Sequence, residues 1–264
     1  MSKWSKIILL LISFIGIILL LNWSQEKDSN KVLLKPVISI NVEGENVFLT
    51  ESELYARLRL KKYVYNKQIA AQLPVQKIEK FISEMTEVKS VKVYKKHGAK
   101  WLIDVVLKSP IARVFDSKNN TYYIDKDGDV IKRSSLHTAR VILFSGNIND
   151  PVPDKKLNLI INNDSLKSKR ILDDIYRISN YVCNSPFFDA LIGQVYINDK
   201  KEFILIPSIG DQRIIFGTAE TDKLVADKFK RLQVFYEQAM PYEGWQKYRE
   251  ISVKYNGQIV CKKR

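Results

Sequence analysis

An apolar run near the amino terminus constrains this chain more than any other feature. Residues 7–21 contain only apolar side chains apart from one serine and one glycine, and Lys3 and Lys6 precede them. As a helix, the stretch from Trp4 to Trp23 would be about 30 Å long and would place a tryptophan near each headgroup layer of a bilayer. No small-residue cleavage site follows, so the sequence favours an uncleaved membrane anchor over a signal peptide that is removed.

The charge distribution predicts the orientation of that anchor. Two lysines on so short a tail keep the amino terminus in the cytoplasm. The 264 residues include 43 Lys and Arg against 29 Asp and Glu, a formal net charge of +14, but long domains are translocated largely regardless of charge. We therefore expect residues 1–24 to form a cytoplasmic tail and a transmembrane helix, residues 25–36 to form a polar linker, and the rest to lie outside the cytoplasm.

Residues 37–109 have the pattern of a small α+β domain. An alternating strand at residues 37–42 is followed by Thr50 and Glu53, which are spaced as a capping box that opens a helix. A second amphipathic helix follows Pro74, because the first turn of a helix tolerates proline. Two further strands complete the order strand, helix, helix, strand, strand. We expect a compact module in which two helices cover one face of a small sheet.

From residue 110 onwards the pattern changes to many short strands separated by turn residues. The longer predicted elements in this region are two helices and two closing strands, at residues 167–181, 222–238, 248–255 and 258–262. Asn256-Gly257 joins the two closing strands. This pattern predicts a mixed, mainly antiparallel β domain backed by helices, over residues 110–264.

No arrangement of side chains in the sequence supports catalysis or metal binding. His97 and His137 lie in polar stretches without a matching Ser or Cys signature, and solvated loop histidines are the simpler interpretation. The aspartates of residues 125–129 are explained by a hairpin turn, because the spacing of a calcium loop is missing. Asp173 and Asp174 are adjacent on a helix and so face different directions. We expect no catalytic residue, no metal site and no cofactor.

Composition narrows the class of protein further. The chain is 45% apolar and 27% charged, as ordinary globular proteins are. Its lysine doublets are scattered and lack the signatures of nucleic-acid-binding domains, so no nucleic acid partner is expected.

Cys183 and Cys261 leave two interpretations open. Cys183 is either a small buried apolar residue at a helix end or one half of a disulfide with Cys261.

Four short motifs, taken in order, resemble those of one bacterial family. They lie after the first strand, at the junction of the two predicted domains, in the first hairpin of the second domain and in the closing strands: Val42-Glu43-Gly44, Pro110-Ile111-Ala112-Arg113, Tyr122-Tyr123-Ile124-Asp125-Lys126-Asp127-Gly128, and Trp245 with Tyr248 and residues 251–255 and 258–260. Together with the anchor and the domain order, they resemble the cell-division protein family FtsQ/DivIB. The resemblance extends from the anchor to Lys262.

This resemblance implies both a fold and a function. The fold would be α+β, with a single-pass anchor, a POTRA domain over residues 37–109 and the β domain over residues 110–264. The function would be that of a non-enzymatic divisome scaffold at the septum, held in the bacterial inner membrane with both domains in the periplasm. Its partners would be FtsB and FtsL, and the complex would help control septal peptidoglycan synthesis during cell division. No small-molecule substrate is implied.

The residues by themselves, without the resemblance, leave two other functions possible. A POTRA-bearing component of outer-membrane protein assembly or transport would need several such modules, whereas the sequence predicts one. An anchored hydrolase would need a pocket that joins two titratable groups with perturbed pKa values.

The resemblance also places a partner-binding segment in the closing strands. Matched position by position, it consists of Lys254, Tyr255, Asn256, Gly257, Gln258, Ile259 and Val260. FtsB would pair with this segment through main-chain hydrogen bonds, as a strand added to a sheet edge. Tyr255 would supply an aromatic anchor, and Lys254 would meet a carboxylate of the partner. The alternative is that Tyr255 only packs against Trp245.

Overall fold

A computed structural model describes residues 3–42, 47–134, 137–150 and 170–264. The chain divides into two compact units, of which the first consists of Met1–Asn41 and Leu49–Leu107 and the second of Val42–Phe48 and Lys108–Arg264. Glu43 and Gly44 of the first motif lie outside the described residues. The predicted start of the first long helix of the β domain, at residues 167–169, lies outside them too.

The amino-terminal apolar run lies in a single helix, α1 (Lys3–Ser29). The helix continues past the apolar run, so the first residues of the predicted linker are helical, because Gln25, Glu26 and Lys27 are good helix formers. Among the residues that the structure describes, no helix combines the length and the apolar character needed to cross a membrane. The transmembrane anchor expected from the sequence is not confirmed.

The rest of the first unit is a three-stranded sheet with helices. Its elements are β1 (Val37–Asn41), α2 (Glu51–Leu60), a 3-10 turn (Ala70–Gln72), α3 (Val75–Ser83), β2 (Val88–Lys95) and β3 (Trp101–Leu107). Strand β3 lies between the other two, parallel to β1 and antiparallel to β2. The element order agrees with the sequence, and the Glu53 amide donates to Thr50 Oγ1 at 3.3 Å, as a capping box requires. The POTRA assignment of this unit stays a prediction.

Strand β3 carries much of the core of the first unit. Its alternate residues Trp101, Ile103, Val105 and Leu107 are at most 1% exposed, as expected when one face of a strand is buried. Helix α3 supplies buried Ile82 from its amphipathic face. The alternation in the sequence therefore identifies the buried face of β3.

The second unit is built on a large mixed sheet. Its strands are β4 (Pro110–Phe115), β5 (Thr121–Asp125), β6 (Val130–Lys132), β7 (Ile142–Gly146), β8 (Ile192–Ile197), β9 (Phe203–Pro207), β10 (Arg213–Gly217), β11 (Tyr248–Ser252) and β12 (Val260–Lys263). They are arranged in the order β12-β11-β10-β9-β8-β7-β4-β5-β6. The pairs β4 with β7, β7 with β8 and β10 with β11 are parallel, and the other neighbouring pairs are antiparallel. The α+β class and the mixed sheet predicted from the sequence are confirmed.

The helices of the second unit differ in detail from the sequence patterns. They are α4 (Ile171–Cys183), α5 (Pro186–Leu191), α6 (Asp222–Val234), a π-helical segment (Phe235–Ala239) and α7 (Met240–Glu243). The single helix predicted over residues 222–238 is therefore interrupted. Pro241 has no amide hydrogen, so the helical ladder loses a bond here and changes register. The sequence patterns do not predict α5, which Pro186 opens at the first helical position.

Candidate functional site

Two aspartates of the second unit, Asp125 and Asp174, have structural partners. Asp125 is 1% exposed, and its Oδ1 accepts from the amides of Asp127 at 3.0 Å and Asp129 at 2.6 Å, which closes a hairpin. Burial raises the pKa of Asp125 to about 6. Asp174 pairs with Arg177 Nη1 at 2.6 Å, although burial raises the pKa of this carboxyl to about 7. Across the described ranges, no group of His, Cys, Asp and Glu side chains is placed to hold a metal ion.

The predicted partner-binding segment leads into an edge strand. Strand β12 is the first strand in the order of the nine-stranded sheet, and within the described residues its one strand neighbour is β11, which runs antiparallel to it. An edge strand leaves a row of main-chain amides and carbonyls without a strand partner. The segment therefore adjoins the kind of surface that strand addition requires.

The boundaries of the closing strands differ from the prediction. Strand β11 ends at Ser252 and β12 begins at Val260, so both strands are shorter at this end than the alternation indicates. Residues 253–259 form the connection between them, with a turn at Asn256-Gly257. Most of the predicted partner-binding residues therefore lie in the connection, and Val260 is the one among them that belongs to β12.

The direction of the main chain along β12 follows from one hydrogen bond. The Arg264 amide donates to the Lys247 carbonyl at 3.3 Å, so the main chain of Arg264 faces β11. Main-chain groups alternate in direction along a strand, and those of Lys262 therefore also face β11. The same alternation directs the amides and carbonyls of Cys261 and Lys263 to the free edge. These are the groups that a further strand would bind.

Lys254 and Tyr255 have different surroundings in the connection. Lys254 forms an ion pair with Glu202, and this hydrogen-bonded pairing raises the pKa of Lys254 and lowers that of Glu202. A partner carboxylate would therefore compete with Glu202 for Lys254. Tyr255 is 50% exposed. Trp245 contacts the ring of Tyr236, with centroids 5.5 Å apart, and no ring contact between Trp245 and Tyr255 is observed in the described part of the chain.

A groove of about 480 Å³ lies beside the connection. Its lining comes from α6, the π-helical segment and the end of the connection: Lys230, Arg231, Val234, Phe235, Gln238, Ala239, Gly257, Gln258 and Ile259. As far as the lining is described, it contains no carboxylate, hydroxyl, thiol or imidazole. Ile259 packs against the core, whereas Val260 is 45% exposed.

Two cations of α6 bind main-chain carbonyls close to this segment, and the sequence patterns do not single them out. Lys228 is 2% exposed and donates to the carbonyls of Phe216 at 2.9 Å and Thr218 at 2.7 Å. Burial lowers the pKa of Lys228 to about 8. Arg231 donates to carbonyls of residues 253–259. In the sequence, the one signal that could have identified these two residues is a charged residue at helical spacing on an otherwise apolar helix face.

Both thiols of the chain are free. Cys183 lies at the end of α4 and Cys261 lies in β12, and each is partly buried. Burial raises the pKa of both thiols. The structure thus has the unpaired state rather than a disulfide, and Cys183 Sγ donates to the Asn180 carbonyl at 3.4 Å.

Fold and site together define an α+β protein whose larger sheet, over the described ranges, ends in the edge strand β12. A family model described as FtsQ/DivIB, C-terminal related, matches residues 109–262. The chain therefore belongs to the FtsQ/DivIB family, and the resemblance seen in the sequence motifs is confirmed. This is a cell-division family, and its members are generally non-catalytic division proteins. A comparison with curated proteins gives no match.

Proposed function

We propose that this protein is a non-enzymatic scaffold of the bacterial divisome that binds FtsB- and FtsL-type proteins at β12. The observation that carries the proposal is the free edge of β12 within the region that matches the family. A partner strand would pair with the outward main-chain groups of Cys261 and Lys263. The resulting complex would help control septal peptidoglycan synthesis.

Side chains around the edge would add specificity to main-chain pairing. In strand addition, main-chain hydrogen bonds supply affinity and the side chains of alternate residues select the partner. Val260 and Tyr255 are exposed apolar surface beside the edge, and Lys262 and Lys263 are exposed cations on β12 itself. An acidic partner segment with apolar residues would complement this surface, and the charges would also speed association.

We also propose that α1 anchors the scaffold in the inner membrane, with the amino terminus in the cytoplasm. The apolar run of residues 7–21 and the lysines before it support this orientation. Within α1, large apolar side chains such as Ile12, Phe14 and Leu20 are more than half exposed. A contiguous apolar surface of this kind is costly in water and indicates contact with a membrane or another protein.

The first unit would act as the POTRA domain of the scaffold. Its support is the element order strand, helix, helix, strand, strand, with the last strand central in the sheet. Both units would then lie in the periplasm at the division septum, where the partners are assembled.

Co-purification of FtsB- and FtsL-type proteins with two variants of Lys263 tests the binding site. Lys263→Pro removes an outward amide and places a ring at the free edge, whereas the amide that pairs with β11 next to it is kept. We expect partner affinity to fall about tenfold or more, the loss that follows when one or two hydrogen bonds cannot form. Lys263→Ala is the matched control, because it removes the same charge and keeps the amide.

Circular dichroism of both variants must remain that of the parent protein. Equal partner recovery with Lys263→Pro, Lys263→Ala and the parent chain would contradict strand addition at β12. Recovery of outer-membrane assembly proteins in place of division proteins would favour the transport function instead.

A further inference from the structure

One arginine connects α6 to the segment that precedes β12. Arg231 is half-buried, and its Nη1 donates to the carbonyls of Tyr255 at 2.6 Å and Gln258 at 3.3 Å. Its Nη2 donates to the Val253 carbonyl at 3.3 Å. A single guanidinium thus binds three carbonyls of one connection. Its planar fork of donors suits this task better than the single ammonium of a lysine.

The position of these carbonyls follows from how the sheet is built. Strands β10 and β11 are parallel, so their carboxyl-terminal ends lie next to each other at the same end of the sheet. Lys228, on the preceding turn of α6, donates to the carbonyl of Phe216, the next-to-last residue of β10, and to that of Thr218, directly after β10. Arg231 does the same for the connection after β11. Helix α6 therefore brings two cations to the carboxyl-terminal ends of two neighbouring strands.

The two cations bind different kinds of segment. Lys228 binds the residues at the end of β10, which lead directly into α6 within the body of the unit. Arg231 binds a connection that is largely exposed and whose next element is a four-residue edge strand. A short edge strand with one neighbour has few contacts of its own, so its local stability depends on how firmly the chain before it is held.

We propose that Arg231 is a positioning residue for the partner-binding edge: it holds residues 253–258 so that β12 stays paired with β11 and presents its outer main-chain groups. The consequence for partner binding rests on the function proposed above. The positioning itself is a property of the protein without its partner. Arg231 need not contact the partner to control its affinity, because an edge that is paired only part of the time lowers the apparent affinity by the same fraction.

Hydrogen exchange of the full chain in detergent micelles, without a partner, tests this role. In Arg231→Met, amides of residues 260–264 that pair with β11 should exchange about tenfold faster, as expected when charge-assisted hydrogen bonds that hold the segment are lost. Amides of β8 and β9 should exchange at the parent rate. Arg231→Lys should restore part of the protection, because an ammonium can reach some of the carbonyls. Lys230→Met is the matched control, because Lys230 lines the same groove, whereas the three carbonyls accept from Arg231.

Two results would overturn the proposal. One is unchanged exchange at residues 260–264 in Arg231→Met. The other is equal acceleration throughout the second unit together with a lower melting temperature, which would make Arg231 a general stabilising residue. If the parent chain binds no FtsB- or FtsL-type protein, the proposed function fails, and the exchange data still decide the positioning role separately.

Discussion

Replacing Trp101 with alanine should lower the free energy of unfolding of the first unit by about 3–5 kcal/mol. Trp101 is 1% exposed and begins β3, the central strand of the three-stranded sheet. Its Nε1 donates to the Leu34 carbonyl at 2.9 Å, so the substitution removes both a large buried ring and a hydrogen bond between distant parts of the chain. Hydrogen exchange of the full chain should show this loss in β1, β2 and β3.

Trp101→Phe is the control for this prediction. It retains most of the buried apolar volume and loses the N–H group, so it should cost about 1–2 kcal/mol and leave the unit folded. The Leu34 carbonyl then lacks its donor in both variants, and the difference between them reports the packing of the ring. Equal stability of the alanine variant and the parent protein would show that Trp101 does not support a cooperative core.

Replacing Phe229 with alanine should have an effect of similar size in the second unit. Phe229 is fully buried on α6, and its ring lies 4.6 Å from that of Tyr181, 4.6 Å from that of Phe188 and 4.9 Å from that of Phe216. Loss of this ring removes the shared contact of α4, α5, α6 and β10. We expect a decrease of about 3–5 kcal/mol in the free energy of unfolding, measured by denaturant titration of the full chain.

An exposed aromatic residue of the same unit provides the comparison. Tyr242 is 90% exposed, and Tyr242→Ala should change stability by less than about 0.5 kcal/mol. If Phe229→Ala and Tyr242→Ala have the same effect, the aromatic cluster is not the centre of the second core.

Local patterns predict the parts of this fold that local forces determine. The capping box at Thr50, the alternation along β3 and the hairpin closed by Asp125 are each specified by residues a few positions apart, and each is observed. Local patterns do not predict the π-helical segment. It depends on the helical hydrogen bonds around Pro241 and not on the spacing of hydrophobic residues. The extent of α1 also exceeds the apolar pattern.

Pairings between distant segments could not be predicted in the same way. The parallel pair β10 and β11 joins strands separated by a helix, and no local signal in Ile214 or Ile251 specifies that register. The role of Arg231 follows from that pairing, because the carbonyls it binds come together only when β11 lies beside β10. The Val253 amide donates to the Ile215 carbonyl at 3.0 Å, so hydrogen bonding to β10 extends one residue beyond the end of β11.

The central claim is that a division partner adds a strand to β12, and amide-resolved hydrogen exchange tests it most directly. The outward amides of Cys261 and Lys263 have no strand partner among the residues that the structure describes, whereas that of Lys262 faces β11. On addition of a purified FtsB-type protein, we predict that exchange at Cys261 and Lys263 slows by about tenfold or more, with a much smaller change at Lys262. Binding of that partner with no new protection at Cys261 and Lys263 would contradict the account.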